Sequence, residues 1–209
     1  MNRNMRLIKK KCFIIACVLS LAFSALGQQF NAGFFGGVTA SQVDGDYYTG
    51  FNKLGVTAGA FASRFIKYNI YWQVEIKYVT RGVYKGPDTN DPTLYKSGYH
   101  YIELPLSIHY LHDKKIQVEA GTSPEVLVKT RFWDQDGLID PSNYPENRRL
   151  GLSVFGGLCY WFNTTTGVGI RYTYSVIPFR DPQEWNHPRY RGYYHNVICL
   201  TAAYKFLHL

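Results

Sequence analysis

The sequence predicts an all-β protein, an eight-stranded antiparallel up-and-down transmembrane β-barrel. From residue 30 to the C-terminus, apolar and polar residues alternate with a period of two in segment after segment, which is typical of strands. Short and long connections between these segments take turns along the chain, as they do in bacterial outer-membrane barrels. The apolar face of each predicted strand carries no charged residue, so it suits a lipid environment.

The first four predicted strands each separate an apolar face from a face of polar or small residues. In residues 30–41, Phe34 and Val38 lie on one face, whereas Gly33 and Gly37 lie on the other. Three further segments show the same alternation: residues 54–63, 70–81 and 101–110. Strong alternation over such lengths indicates strands whose two faces meet different surroundings.

The last four predicted strands repeat this pattern. In residues 166–177, Ile170 and Tyr172 alternate with Gly169 and Arg171. The other three segments of this half are residues 116–126, 150–162 and 197–206. Aromatic residues lie on the apolar faces, several of them near strand ends as in the girdle of a membrane barrel: Trp72, Tyr78, Tyr110, Tyr160, Tyr172, Tyr204 and Phe206.

The connections support a membrane barrel with two different rims. The short links are residues 64–69, 112–115 and 163–165, and the long loops between the other strands are rich in Gly, Pro, Asp and Asn. Short turns of outer-membrane barrels face the periplasm. A strand of ~11 residues tilted by about 40° covers ~28 Å, close to the ~25 Å apolar band of such barrels.

A soluble, lipocalin-like binding barrel is the main structural alternative, because its strands also alternate but turn the apolar face inward. The polar faces here are rich in glycine, as expected where eight strands crowd their side chains into a narrow interior. A surface facing water would instead carry many Lys and Glu residues. We therefore favour the membrane barrel.

The N-terminus resembles a secretory signal peptide, so we divide the chain into a signal peptide, residues 1–27, and a barrel domain, residues 28–209. A basic stretch precedes an apolar segment and small residues, and we expect cleavage near Gly27 and localisation in the outer membrane. Residues 1–27 hold five of the 23 basic residues and none of the 15 acidic ones, so the net charge falls from +8 to +3 without them. The charge therefore gives no argument for a nucleic-acid partner. Cys159 and Cys199 stay in the mature chain, and we favour two free thiols over a disulfide.

Charged residues on the polar faces predict an ion-pair network inside the barrel. Buried charges must pair or neutralise, and eight strands enclose only enough room for side chains. We expect a plug centred on Glu75, Glu103 and Arg171, although a path for protons or a small-solute channel is an alternative. The predicted members are Glu75, Lys77, Glu103, Glu119, Arg171 and Lys205.

Across residues 28–209 the sequence resembles the PorT family of outer-membrane β-barrels from Bacteroidetes. The residues that carry this resemblance are Gly36-Gly37-Val38, Gly55 to Gly59, Glu75-Ile76-Lys77-Tyr78, Arg81-Gly82, Tyr101-Ile102-Glu103-Leu104-Pro105-Leu106, and Ala120-Gly121 with Pro124. The resemblance implies an eight-stranded outer-membrane barrel, and some relatives are linked to protein export through the type IX system. It carries no catalytic motif.

The sequence predicts no enzyme, cofactor or metal site, since it contains no phosphate-binding loop, zinc-ligand spacing or nucleophile elbow. Ser107 and His109 share a face, which leaves an outer-membrane lipid hydrolase or acyltransferase as an alternative. However, His109 falls near the periplasmic end of its strand, away from the outer leaflet. We therefore expect a non-enzymatic barrel that is structural or associated with protein export.

The loop between the last two strands, residues 178–196, is the candidate partner-binding segment. Arginines and aromatic residues interleave there, a combination that binds glycans, anions or proteins, although a self-packed loop on lipopolysaccharide phosphates is the simpler interpretation. The candidate residues are Arg180, Trp185, Arg189, Tyr190, Arg191 and Tyr193, with help from Phe132, Trp133, Arg148 and Arg149. The expected partners are outer-membrane lipid or lipopolysaccharide and envelope or secretion proteins.

Overall fold

The described residues form ten β-strands, and nine of them make up one closed antiparallel barrel. The computed structural model describes residues 30–46, 50–87, 92–140, 146–181 and 192–208. The strands are β1 (Asn31–Asp44), β2 (Lys53–Lys67), β3 (Ile70–Lys85), β4 (Tyr95–Glu103), β5 (Leu106–His112), β6 (Ile116–Asp134), β7 (Gly137–Ile139), β8 (Leu150–Trp161), β9 (Thr166–Ser175) and β10 (Tyr194–His208). The predicted signal peptide lies outside the described residues, so its cleavage near Gly27 stays a prediction.

The strands pair in chain order around the ring, and β10 closes the barrel by pairing with β1. Both β4 and β5 pair with β3 on one side and with β6 on the other, so together they form one strand of the wall. The wall thus has eight antiparallel strands, and the predicted up-and-down barrel is confirmed.

The break between β4 and β5 falls at Leu104 and Pro105. Proline has no amide hydrogen to donate to a neighbouring strand, so the regular pairing stops there. The wall is nevertheless hydrogen-bonded across the break, because the Pro105 carbonyl accepts from the Glu75 amide at 2.9 Å and the Leu104 amide donates to the Pro124 carbonyl at 2.9 Å.

Several strands extend further toward the long-loop rim than the sequence predicted, among them β1 to Asp44 and β3 to Lys85. The wall strand predicted over residues 101–110 already begins at Tyr95, β6 continues to Asp134, and β10 begins at Tyr194. The short strand β7 folds back on the end of β6 as a hairpin. These extensions lie beyond the apolar part of the wall, where outward residues such as Lys96 and Arg131 are charged, so a pattern of charge-free faces does not include them.

The two faces of the wall differ as predicted. Large apolar side chains point outward and are exposed, including Phe34, Val38, Leu106, Leu158, Ile170 and Leu200. Inward-facing side chains are buried and include many charged and polar groups, among them Glu75, Lys77, Arg81, Glu103 and Glu125. Within the described part of the chain, no helix is long and apolar enough to cross a membrane.

Candidate functional site

Arg171 of β9 joins two carboxylates in the middle of the barrel interior. Its guanidinium donates from Nη1 and Nη2 to the Glu75 carboxylate at 2.8 and 2.7 Å. The same group donates from Nε and Nη2 to Glu119 at 2.5 and 2.9 Å. It also lies over the ring of Phe155, 4.3 Å from the centroid. Two-pronged contacts of this kind are the strongest that arginine makes with carboxylates.

A second cluster of ion pairs lies on the long-loop side of Arg171. The Lys77 ammonium is 2.6 Å from the Glu103 carboxylate. Arg81 contacts Glu125 at 2.7 Å and Glu103 at 3.4 Å, and its guanidinium lies 3.9 Å from the centroid of the Tyr101 ring. All four charged side chains are almost fully buried. Each therefore needs its ion-pair partners to compensate for the loss of hydration.

Two glycines of β8 make room for these carboxylates. Gly157 lies between Glu119 and Arg171 in the register of β6, β8 and β9, so the Glu119 side chain crosses it to reach the guanidinium. A Cβ atom on Gly157 would lie 2.6 Å from a Glu119 oxygen, and one on Gly151 would lie 2.7 Å from a Glu125 oxygen. The absence of a side chain at Gly151 and Gly157 on the inner face of β8 therefore leaves the space that the two carboxylates occupy.

The pairing of the interior charges differs from the pairing that the sequence predicted. Glu103 pairs with Lys77 and Arg81, so it does not share Arg171 with Glu75, as the prediction of a network centred on all three had it. Arg81 and Glu125 were not among the predicted members. Continuing the period of two inward from Lys77 to Arg81, and from Glu119 to Glu125, would have found both.

Lys205 lies apart from the carboxylates, nearer the short-turn rim. Its ammonium group is 3.5 Å from the centroid of the Trp161 ring, rather than beside a carboxylate of the described residues. The two side chains border a cavity of about 480 Å³ at this rim, whereas the cavity beside Arg171 measures only about 50 Å³. The charged cluster thus fills the lumen above an open vestibule.

A chain of hydrogen bonds fixes the proton on His109. Trp161 Nε1–H can only donate, and it donates to Gln117 Oε1 at 2.7 Å, as does the Tyr71 hydroxyl. The amide nitrogen of Gln117 therefore faces His109 Nδ1, 2.7 Å away, and donates to it. The imidazole proton consequently lies on Nε2 and is donated to Ser107 Oγ at 2.7 Å.

This arrangement is the reverse of what a nucleophilic serine needs. In serine hydrolases the hydroxyl donates its proton to an unprotonated histidine nitrogen, whereas here the histidine donates to the hydroxyl. Glu119 lies 3.6 Å from His109 Nδ1, but its oxygens are already engaged by Arg171. Ser107 and His109 therefore act as a polar layer beneath the charged cluster.

The start of the long loop after β9 folds into the outer mouth of the barrel. Phe179 is 5% exposed and stacks on His195 with 4.0 Å between ring centroids. Arg180 is 8% exposed and lies among the rings of Phe132, Phe179 and Tyr193. Its Nε–H donates to Asn147 at 3.0 Å. Phe179 and Phe132 belong to an apolar cluster, with Tyr193 packed against it, that covers the charged groups from the outside.

The candidate partner-binding residues are therefore divided. Arg180 packs inward, and Tyr193 lies partly buried against the same cluster, so neither side chain is displayed. Trp185, Arg189, Tyr190 and Arg191 lie outside the described residues. Arg148 is exposed at the rim, where its guanidinium is 2.6 Å from Asp181.

Metal and disulfide chemistry have no support in the described residues. They contain no group of three or more His, Cys, Asp or Glu side chains that could hold a metal ion. Cys159 and Cys199 are free and both border the small cavity beside Arg171. The two thiols are separated by β9, because Cys159 lies opposite Gly169 and Cys199 opposite Arg171.

An eight-stranded wall with an apolar outer face and a filled, charged interior defines a small outer-membrane β-barrel. The chain belongs to the family of the outer membrane protein beta-barrel domain, whose model matches residues 24–181. It is accordingly a protein of the outer membrane. No curated protein sequence matches it.

Solved structures support the same fold. The chain is similar to Ail, the attachment invasion locus protein of Yersinia pestis, in a complex with the heparin analogue sucrose octasulfate, with 13% identity and a TM-score of 0.52 over 86% of this chain and 99% of that one. It is also similar to Neisserial surface protein A, with 12% identity and a TM-score of 0.53 over 85% of this chain and 97% of that one. At such low identity the similarity concerns the fold.

Proposed function

We propose that this protein is a non-enzymatic, non-conducting barrel with a structural or export-associated role in the outer membrane. The observation that carries this proposal is the occupied lumen. Arg171, Glu75 and Glu119 bridge the middle of the barrel, and Phe179 and Arg180 cover its outer mouth. A solute would have to break several buried ion pairs to pass, at a cost of several kcal/mol for each group left unpaired.

Planar-bilayer recording of the purified barrel tests this proposal. We expect no stable conductance from the wild type. Replacing Glu75, Glu119 and Arg171 by alanine removes the central cluster without leaving a charge alone, and should produce measurable conductance. Replacing Arg148 and Asp181, the exposed ion pair at the rim, should leave the barrel closed. Large, stable wild-type currents would instead support the alternative of a small-solute channel.

The enzyme alternative is weakened by the proton position on His109. A hydrolase or acyltransferase built on Ser107 would need that histidine to accept the serine proton. We therefore expect lipid A to keep its acyl chains when the protein is overexpressed, as measured by mass spectrometry. Loss of an acyl chain that is abolished by His109→Ala would overturn the non-enzymatic assignment.

The resemblance to the PorT family supports an export-associated role as the finer proposal. A partner would meet the long-loop rim, because lipid covers the outer wall and side chains fill the lumen. The exposed parts of that rim include the β6–β7 hairpin, where Leu138 is 70% exposed. The sequence additionally predicts partner-binding residues in the 182–191 segment, which lies outside the described residues. Crosslinking from native membranes, followed by replacement of residues 182–191 with a Gly/Ser linker, should lose the crosslinked partner while the barrel still folds.

A further inference from the structure

The outward face of β4 and β6 changes from apolar to basic near the long-loop rim. His100 lies opposite Lys129 in the register, Gly98 opposite Arg131, and Lys96 opposite Trp133. Residues directly opposite each other on antiparallel strands point to the same face. Four basic side chains, Lys96, His100, Lys129 and Arg131, therefore share one patch of the outer wall, which we call the basic face.

Aromatic side chains hold two members of the basic face in place. The Lys96 ammonium lies 4.8 Å from the centroid of the Trp133 ring. That ring rests over Gly98, where an added Cβ would already lie 3.3 Å from it. On the next strand, the Tyr78 hydroxyl is 2.5 Å from His100 Nδ1. The basic face is thus bordered by the aromatic residues that are typical of a membrane interface.

The cations of the basic face have no acidic partner among the described residues. The interior cations Lys77, Arg81 and Arg171 are all paired with carboxylates, but no ion pair of the described residues includes Lys96, Lys129 or Arg131. Like charges on adjacent strands repel each other. Among the described residues, these cations are therefore available to bind an anion.

The basic face lies at the level of the outer headgroups. Outward side chains of β6 are uncharged from Ile116 to Val128, and at about 3.3 Å per residue with a tilt of about 40° this stretch covers roughly 30 Å. Lys129 and Arg131 follow directly at the long-loop end. At the same rim on the opposite wall, the outward residues Gln42 and Asp44 of β1 offer no such cluster.

We propose that the basic face binds the phosphate groups of the outer-leaflet glycolipid, lipid A. Three features point to this ligand. Lys96, Lys129 and Arg131 have no carboxylate partner among the described residues, they lie where the apolar wall ends on the outer side, and arginine and lysine together suit phosphate oxygens. Tyr84 and Trp133 on either side of Lys96 supply flat surfaces against which a sugar ring can pack.

Native mass spectrometry of the detergent-solubilised barrel with purified lipid A tests the proposal. The variant carries Lys96→Gln, Lys129→Gln and Arg131→Gln. The matched control carries Lys67→Gln, Lys114→Gln and Lys115→Gln, which remove the same charge from exposed positions at the short-turn rim. We expect the variant to bind lipid A about a hundredfold more weakly, since each basic side chain near an anionic lipid surface contributes roughly fivefold. The control should bind like the wild type.

Three outcomes would overturn the proposal. Unchanged binding by the variant would show that the basic face is not the site. An equal loss in the control would reduce the effect to overall charge. Equal binding of dephosphorylated lipid A, or of phosphatidylglycerol, would show that the phosphates of the glycolipid are not what is recognised. Heat-modifiable gel migration of both variants verifies that the barrel is folded, and a variant that fails it is replaced by Arg131→Gln alone, for which a fivefold loss is expected.

Discussion

At the centre of the barrel, the guanidinium of Arg171 is shared by the carboxylates of Glu75 and Glu119. Such sharing is stable only while all three groups are present, because the surrounding rings and strands leave little water to solvate a lone charge. The residue therefore differs in kind from Arg148, whose ion pair with Asp181 is open to solvent.

Arg171→Met should destabilise the folded barrel by about 3–5 kcal/mol, since it leaves two buried carboxylates without their cation. Arg148→Met should change the unfolding free energy by ~0–1 kcal/mol, as is usual for an exposed pair. Urea unfolding in lipid vesicles, followed by tryptophan fluorescence, measures both. Small and equal effects would mean that the interior charges are hydrated, and the occupied lumen would then lose its energetic basis.

At this scale the sequence predicted which faces carry charge but not which charges meet. Glu75, Glu119 and Arg171 could be placed inside from alternation alone. Their pairing depends on the stagger between strands that are distant in sequence, and alternation contains no information about stagger. The sequence predicts Arg180 on an exposed loop, whereas its side chain packs among aromatic rings. Alternation could not predict this packing, because a loop that turns back into its barrel has no periodic pattern.

The elements of the wall show how a single strand serves two environments. In β8, Gly156 faces outward and Gly157 faces inward, one residue apart. The outward position is open, with the nearest atom to an added Cβ 3.6 Å away, whereas the inward position is crossed by Glu119. The same small residue thus has a packing role on only one side of the strand.

Gly157→Ala should lower the unfolding free energy by roughly 1–3 kcal/mol, because the new methyl group would lie 2.6 Å from a Glu119 carboxylate oxygen and 2.8 Å from the Ile170 carbonyl oxygen, so that both the ion pair and the strand pairing must shift. Gly156→Ala should stay within about 0.5 kcal/mol of the wild type or stabilise slightly, since alanine restricts the unfolded chain. The same vesicle unfolding assay compares the two. Equal losses would show that the crowded inward position of Gly157 contributes nothing beyond the general effect of replacing a strand glycine.

The strand positions were predictable to the extent that lipid constrains them. Between the two headgroup levels every outward residue must suit hydrocarbon, so the alternation is strict and all eight wall strands could be located. Above that level the outward positions of β4 and β6 meet water or headgroups, and Lys96 and Arg131 are then allowed. The predicted strand ends at the long-loop rim were wrong, because outward residues there need not be apolar and the alternation that located the strands is lost.

As a whole molecule, the barrel encloses both cysteines of its wall and covers them from the outer side. We expect the purified protein to migrate faster in SDS gels before boiling than after it, as closed barrels retain compact structure in detergent. Cys159 and Cys199 should resist a bulky maleimide until the sample is boiled, when both react without prior reduction. Labelling of the unheated protein would contradict a filled lumen, and a requirement for reductant would reveal a disulfide.

The distribution of the buried charges along the chain also has a consequence for the order in which the barrel is assembled. Strands β3 to β6 bring four acids and two bases to the lumen: Glu75, Glu103, Glu119, Glu125, Lys77 and Arg81. The next cation of the cluster, Arg171, arrives only with β9. A sheet that ended at β8 would hold an excess of acid and would have to keep water around it. Water can therefore leave the lumen only when β9 and β10 join the sheet. Closure of the barrel and the loss of interior water then occur in the same late step.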